Sequence, residues 1–400
     1  MIVPLTDAVA KTSGGKAGAL GVLLRAGLPV PDGFAVPFSA YREAIRGLDL
    51  TTPDALRQAI ESRPLDAGLL AAITVGLEAL GHPPVAVRSS AADEDTARAS
   101  AAGQYETVLA AHGVDEVTGA VRACWASLYS SRAIEYRHTA DLPKMAVLVQ
   151  RHVDAEVSGV MFTPPDPGGV TEIEASWGLG PSVVGGTVTP DVFRVNSDGS
   201  VKRTISDKRT RLDRHGTQLV TRDVPPDSQN QPTLDDPATI GLARLGQKAA
   251  EVLGGALDVE WAIADGRVWL LQARPVTAAP PPPADGVATP PGALAGTPGS
   301  QGTMTGTARI VLGPGDFAHV RPGDILVCPY TDPGWTPLLR IATGVVTETG
   351  GVLSHAAIVA RELRIPAVLG IPNATRRIPN ATTITVDGAT GIVTTADRKN

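Results

Sequence analysis

Four clusters of residues in this sequence carry groups suited to moving phosphate. The densest runs Thr347-Glu348-Thr349-Gly350-Gly351-Val352-Leu353-Ser354-His355 and continues Ala356-Ala357-Ile358-Val359-Ala360-Arg361-Glu362-Leu363. A strand ends at a Gly-Gly turn, Ser354 is a favourable N-cap, and His355 falls in the first turn of a helix. The positive end of a helix disfavours a cation, which keeps an imidazole nitrogen available as a nucleophile. The same end would stabilise a phosphate placed on that nitrogen. Small neighbours, Ala356 and Ala357, leave space for a bulky visitor. Read structurally, the segment is a capped helix with a partly buried histidine.

The second cluster is Asp258-Val259-Glu260-Trp261 with Val268-Trp269-Leu270-Leu271-Gln272-Ala273-Arg274-Pro275. The Ala264-Asp265-Gly266 turn between them predicts a hairpin. Alternation then puts Asp258, Glu260, Gln272 and Arg274 on matching faces. A carboxylate beside an amide oxygen can hold Mg²⁺, and an arginine next to them can take a phosphate oxygen. Polar groups in so apolar a pair of strands are costly unless used.

Two weaker clusters come earlier. Val85-Ala86-Val87 is an apolar strand that delivers Arg88, Ser89 and Ser90, followed by the acids Asp93, Glu94 and Asp95. The planar fork of arginine suits phosphate oxygens; the alternative is a strand end with a solvated acidic loop. The segment from Ala99 through Gly103 and Gln104 to Tyr105 is small and flexible enough to close over a nucleotide. Near the start, Thr12-Ser13-Gly14-Gly15-Lys16 is a Gly-rich turn before a helix, a plausible phosphate cradle. It is not a P-loop, because Ala10 and Ala17 stand where that motif needs Gly and Ser or Thr. A bland turn with a surface lysine is the other reading.

These groups need a scaffold. Helical patterns cover Gly18–Ala26, Val117–Tyr136 and His355–Leu363. Strand patterns cover Val85–Arg88, Met145–Gln150, Gly159–Phe162 and Val268–Gln272 in the first part. In the second part they cover Thr307–Val311, Ile325–Val327, Gly344–Thr347, Thr383–Val386 and Gly391–Thr394, and Asp198–Asp236 reads as hairpin and loop. Both parts are mixed α and β. Residues 277–299 hold seven prolines, four of them consecutive, and no aromatic residue. That composition predicts an extended linker between a domain of residues 1–276 and one of residues 300–400.

Composition bounds the rest. The 400 residues are 43% hydrophobic and 19% charged, an ordinary globular balance. A net charge of −6 argues against a generic nucleic-acid or anionic-membrane binder. The two cysteines, Cys124 and Cys328, form no CxxC pair, so a disulfide framework or structural zinc is not expected. With no basic and apolar leader and no run approaching the roughly 20 apolar residues of a membrane span, a cytoplasmic location is expected.

Taken together the motifs resemble the phosphoenolpyruvate synthase and pyruvate phosphate dikinase family. GGKAGALGVLLRAGLPVPDGFAV near the start, then VAVRSSAADED, AGQYETVL, WASLYSSRAIEYR, VLVQRHV, SGVMFT, GLG with TPD, and DVEWAI with LLQARPV follow in family order. TDPGWTPLL and ETGGVLSHAAIVARELRIPAVLG are similar to its mobile phosphohistidine domain. The resemblance implies an α+β and α/β multidomain chain: an ATP-grasp nucleotide-binding domain, then a small swivelling β/β/α phosphohistidine domain. It implies Mg²⁺ and ATP as cofactors, with the β-phosphate passing to His355, AMP leaving and the γ-phosphate going to water or phosphate. Lys16, Arg88, Glu260, Gln272 and Arg274 would bind ATP phosphates and Mg²⁺, the last through Glu260 and Gln272. Arg132 would assist, with Gly103 and Gln104 in a lid. Thr349, Gly350, Gly351 and Ser354 would form the phosphohistidine loop.

The chain departs from the pattern at Pro181, which stands where the family's Gly-Leu-Gly-Glu carries its glutamate. Phosphoenolpyruvate synthases also continue into a pyruvate-binding barrel, and rifampin phosphotransferases insert a substrate domain; neither is expected within these 400 residues. The implied enzyme is a dikinase-like phosphotransferase acting on a small-molecule acceptor. Two alternatives stay open: a phosphocarrier that passes phosphate from His355 to a separate acceptor-binding protein, and an ATP-grasp carboxylate ligase.

Overall fold

The structure is a computed structural model that describes residues 1–49, 52–92, 104–136, 143–166, 168–279, 281 and 288–395. The expected acidic loop Asp93–Asp95 and the lid glycine Gly103 lie outside the described residues. No helix among the described residues is long and apolar enough to cross a membrane.

Three large sheets organise the described residues, and a two-stranded hairpin, Thr210–His215 with Gln218–Asp223, forms a fourth. The first is antiparallel, with spatial order Val3–Pro4, Gly33–Val36, Met145–Arg151, Val85–Ala91, Thr107–Ala111. Its alternation decides what each face does. Val85, Val87, Val147 and Val149 pack against helices Pro53–Ser62, Ala67–Ala79 and Gly113–Ser127. Ala86, Arg88 and Gln150 point the other way and line a cleft. The helix pattern expected over Val117–Tyr136 is two helices, Gly113–Ser127 and Ser131–Tyr136. At the break Tyr129 turns into the core, where its hydroxyl meets that of Tyr41 at 2.6 Å. A buried pair of hydroxyls has to be satisfied, and here that demand overrides helical continuity.

The second sheet is also antiparallel: Arg267–Pro275, Leu257–Ala264, Val157–Phe162, Thr171–Trp177, Asp191–Val195, Val201–Thr204. A core that includes Leu20, Leu23, Leu148, Met161, Phe193 and Trp261 joins it to the first sheet. The aspartate of the Thr189-Pro190-Asp191 motif belongs to this scaffold. Fully buried, Asp191 accepts from Lys208 Nζ at 2.7 Å, Ser206 N and Thr233 N at 2.9 Å, and the Thr233 hydroxyl at 3.0 Å. A buried ion pair is tolerable only when so fully hydrogen-bonded.

The third sheet has eight strands, ordered Leu294–Ala295, Ile392–Thr395, Thr383–Asp387, Thr303–Ile310, Asp324–Cys328, Gly344–Thr347, Ala367–Leu369, Thr297–Ser300. Its central pairs are parallel and therefore apolar on both faces. Leu326, Val345 and Leu369 face the His355–Leu363 helix, while Ile325, Val327 and Val346 face a second core. Two short strands therefore come from the stretch read as an extended linker: Leu294–Ala295 pairs with Ile392–Val393, and Thr297–Ser300 with Ala367–Leu369. Proline is compatible with such edge positions.

Candidate functional site

The Asp258–Arg274 hairpin forms as its sequence predicts. Asp265 and Gly266 both have positive φ, 51° and 67°, the conformation of a two-residue turn that matches strand twist. The register sets Asp258 opposite Arg274 and Glu260 opposite Gln272. A bulge after Glu260 leaves Leu271 unpaired across the hairpin, and Arg88 Nη1 donates to its carbonyl at 2.6 Å. Arg88 Nη2 donates to Glu260 Oε2 at 2.8 Å and Gln272 Oε1 at 2.9 Å. Arg274 pairs with Asp258 through Nε at 2.9 Å and Nη2 at 2.8 Å. The sequence casts Arg88 as a phosphate fork; in the structure that fork is engaged by protein acceptors, and Arg88 Nε is buried without a hydrogen-bond partner.

Lys16 reaches the same place from the first helix. That helix begins earlier than its pattern suggests, at Ala10, and kinks at Gly14, where φ is +81°. A Cβ on Gly14 would fall 2.0 Å from the Ser90 carbonyl oxygen, so glycine is required there. The Ser90 hydroxyl donates to Ser13 O at 2.7 Å and accepts from Ala17 N at 3.1 Å. It thereby caps the restarted helix from a neighbouring strand, which is structural work. Lys16 Nζ donates to Ser89 O at 3.0 Å, and the side chain is buried.

Lys16, Arg88, Glu260, Gln272 and Arg274 all line one cavity of about 490 Å³ between the first two sheets. Burial opposes ionisation of Glu260, but Arg88, Arg274 and Lys16 together hold its carboxyl below the usual carboxylate range. Pro181, on the cavity wall, starts the short helix Pro181–Val184 and supplies no side-chain oxygen. Gln104 does not line the cavity; its Nε2 faces the Thr336 hydroxyl at 3.4 Å. Arg132 lies in helix Ser131–Tyr136, but its side chain is outside the described residues. A separate cavity of about 600 Å³, lined by Arg63, Arg122 and Trp125 among others, contains none of the candidate ATP-binding or phosphohistidine-loop residues.

His355 opens helix His355–Leu363 and is 3% exposed. Its Nδ1 sits 3.0 Å from the Thr331 hydroxyl, which fixes the ring plane. Two residues on, Pro333 is part of the cavity wall. Ser354 occupies the N-cap position, yet its hydroxyl donates backward to Gly351 O at 2.8 Å and makes no cap bond. Ala356 and Ala357 pack into the core, so they leave no open space for a visitor. The preceding loop is anchored across the chain. The Thr349 hydroxyl donates to Gly186 O at 2.6 Å, and Gly350 N donates to Val188 O at 3.1 Å.

Sequence reasoning missed Glu174. It lies in strand Thr171–Trp177, fully buried, and accepts from Val352 N at 2.6 Å and Leu353 N at 3.1 Å. Alternation places Glu172 on the same strand face, so nothing in the local pattern marks which of the two is used.

Residues 10–288 match the family described as pyruvate phosphate dikinase, AMP/ATP-binding domain, and residues 320–391 match PEP-utilising enzyme, mobile domain. A probable phosphoenolpyruvate synthase of Methanothermobacter thermautotrophicus is 36% identical over 95% of this chain and 61% of its own length. A phosphoenolpyruvate synthase of Aeropyrum pernix is 35% identical over 95% of this chain and 56% of its own. A third relative, from Archaeoglobus fulgidus, is 36% identical with the same coverage as the second. The chain thus spans 56–61% of the length of these curated relatives.

Proposed function

The chain belongs to the pyruvate phosphate dikinase and phosphoenolpyruvate synthase family, and from that premise we propose that it is an ATP-dependent phosphotransferase with His355 as its covalent carrier. The observation that carries this reading is one cavity. It gathers Lys16, Arg88, Glu260, Gln272 and Arg274, and its wall includes Pro333, two residues from the Thr331 that orients His355.

The roles follow from charge. Lys16, Arg88 and Arg274 bind the polyphosphate of ATP, as cations positioned to neutralise a transferring phosphoryl group. Glu260 Oε2 and Gln272 Oε1 converge on one cation, Arg88 Nη2, within 2.9 Å. Hard oxygen donors so placed fit a divalent ion, and the buried, unpartnered Arg88 Nε fits an added phosphate oxygen. Glu260 and Gln272 would therefore hold Mg²⁺, which would supply charge neutralisation at the phosphates. Thr331 occupies Nδ1, so Nε2 is the nucleophile we assign. His355 Nε2 takes the β-phosphoryl group, its bond to the α-side oxygen breaks, and AMP leaves. The β–γ bond then breaks as the γ-phosphate goes to water or inorganic phosphate, which leaves one phosphoryl group on His355 for a small-molecule acceptor. A covalent carrier splits one difficult transfer into two easier ones.

Intact-mass measurement after incubation with Mg²⁺ and ATP, with nucleotides quantified alongside, tests this. Wild type gains one phosphoryl group and releases AMP, and His355→Ala does neither. ADP without AMP, or equal mass gain in His355→Ala, overturns the reading.

A further inference from the structure

Glu174 is a buried carboxyl group that the phosphate chemistry leaves unused. Its strand neighbours put it in one register row: Gln272 pairs with Glu260, Glu260 with Val160, and Val160 with Glu174. Adjacent strands lie about 4.8 Å apart. Glu174 therefore sits on the same sheet face as Glu260, about 10 Å along, with Val160 between. Both of its oxygens accept backbone N–H groups from the loop just before His355, at 2.6 Å from Val352 and 3.1 Å from Leu353. The approach is so close that a Cβ on Gly351 would fall 2.2 Å from Glu174 Oε1. Around this contact Val352 and Leu353 bury against Val160, Phe162, Val183 and Val188. From the His355 helix, Arg361 donates to Val352 O at 2.7 Å and brings a cation toward Glu174, Asp258 and Glu172.

We propose that Glu174 is a positioning residue: it clamps the Val352–Leu353 backbone, sets His355 against the ATP cleft, and releases that backbone when the phosphohistidine unit leaves for its acceptor. This rests on the phosphotransfer reading above. A carboxyl group that accepts from main-chain N–H groups with both oxygens suits the task. It fixes the loop in two directions at once and gives up nothing covalent when the loop departs. Burial, and then Glu172, push the Glu174 carboxyl up to about 8, against the two N–H donors and Arg361. The other charges around it are Arg194, paired with Glu172, and Glu260 and Asp258 two strands away, beyond Val157–Phe162.

The test compares Glu174→Ala, Glu174→Gln, Gly351→Ala and the Glu174→Ala/Gly351→Ala double variant. It reads the rate of His355 phosphorylation by quenched intact mass, Mg²⁺-ATP affinity by calorimetry, and hydrogen exchange at the Val352 and Leu353 amides. Glu174→Ala should slow phosphorylation by roughly 10- to 100-fold, leave ATP affinity unchanged and speed exchange at both amides. Glu174→Gln, which keeps one acceptor, should fall between. Gly351→Ala should reproduce the loss from the opposite side of the contact. The double variant should be no slower than Glu174→Ala, because the clash has gone. Unchanged rate and exchange in Glu174→Ala, or a rate loss matched by lost ATP affinity, overturns the proposal. If wild type is never phosphorylated, the phosphotransfer reading fails; exchange at the two amides then decides the clamp alone, faster in Glu174→Ala supporting it and unchanged overturning it.

Discussion

The Glu260 hairpin and the His355 loop are both polar groups set on apolar sheets, but they are held in opposite ways. In the hairpin, Asp258, Glu260, Gln272 and Arg274 lie within one pair of strands and meet across a two-residue turn. Arg88 closes the set with three hydrogen bonds. The loop is held from outside itself: by Glu174 on the second sheet, by Gly186 and Val188 in the segment that follows helix Pro181–Val184, and at His355 by Thr331 near the third sheet. The hairpin's contacts persist as long as the fold does. Under the proposed function, the loop's contacts with the second sheet have to break each time the carrier moves. A site that binds a charged substrate needs the first kind, and a carrier that must travel needs the second.

That contrast can be broken most sharply at Arg88. Arg88→Ala strips Glu260 and Gln272 of their shared donor and leaves a half-buried carboxylate short of charge. A global destabilisation of about 3 kcal/mol is expected in denaturant unfolding, with phosphorylation of His355 lost. An unchanged unfolding midpoint would mean that the cleft is not preformed as described.

On the loop side the expected effect is on docking, and pH should reveal it. The Glu174 carboxyl is raised to about 8 in the docked state, so docking takes up a proton. Stabilisation from this group is full below the ordinary carboxylate range and is lost as pH climbs toward 8, by up to about tenfold per unit. Exchange at the Val352 and Leu353 amides, measured from pH 5 to 9 with correction for intrinsic rates, should show this in wild type and not in Glu174→Gln. A slope of opposite sign would place the proton elsewhere.

Smaller effects sharpen the picture at His355 itself. Thr331→Val removes the Nδ1 partner, worth about 1 kcal/mol, and should slow phosphorylation about fivefold with folding little changed. Ser354→Ala should cost less than the ~1 kcal/mol of an ordinary N-cap loss, since the Ser354 hydroxyl makes no cap bond. Thermal unfolding checks it, and a larger loss would show that the hydroxyl caps the helix after all.

The same division governs what the sequence reveals. The hairpin is legible because strand alternation and the Ala264-Asp265-Gly266 turn are local signals, and residue order alone sets Glu260 and Gln272 on matching faces. Helix His355–Leu363 is legible for the same reason, bounded by a glycine turn at one end and stopped at Arg364, whose φ is 57°. Glu174 is not legible, because its partner is backbone some 180 residues away. Nor is the engaged state of Arg88, which depends on a bulge at Leu271. The break after Ser127 follows from Tyr129 meeting Tyr41, a tertiary contact that no helical period records. The strands at Leu294–Ala295 and Thr297–Ser300 are hidden by a composition rich in proline and glycine, and only their pairing partners make them strands.

The proposed function requires that the cleft charge His355 from the middle phosphate of ATP. Incubation with Mg²⁺ and ATP labelled at its β-phosphorus, followed by digestion and location of the label, tests it directly. Label should appear on the peptide that carries His355, and none in His355→Ala. Label retained only from the γ-position, or on a residue other than His355, would contradict it.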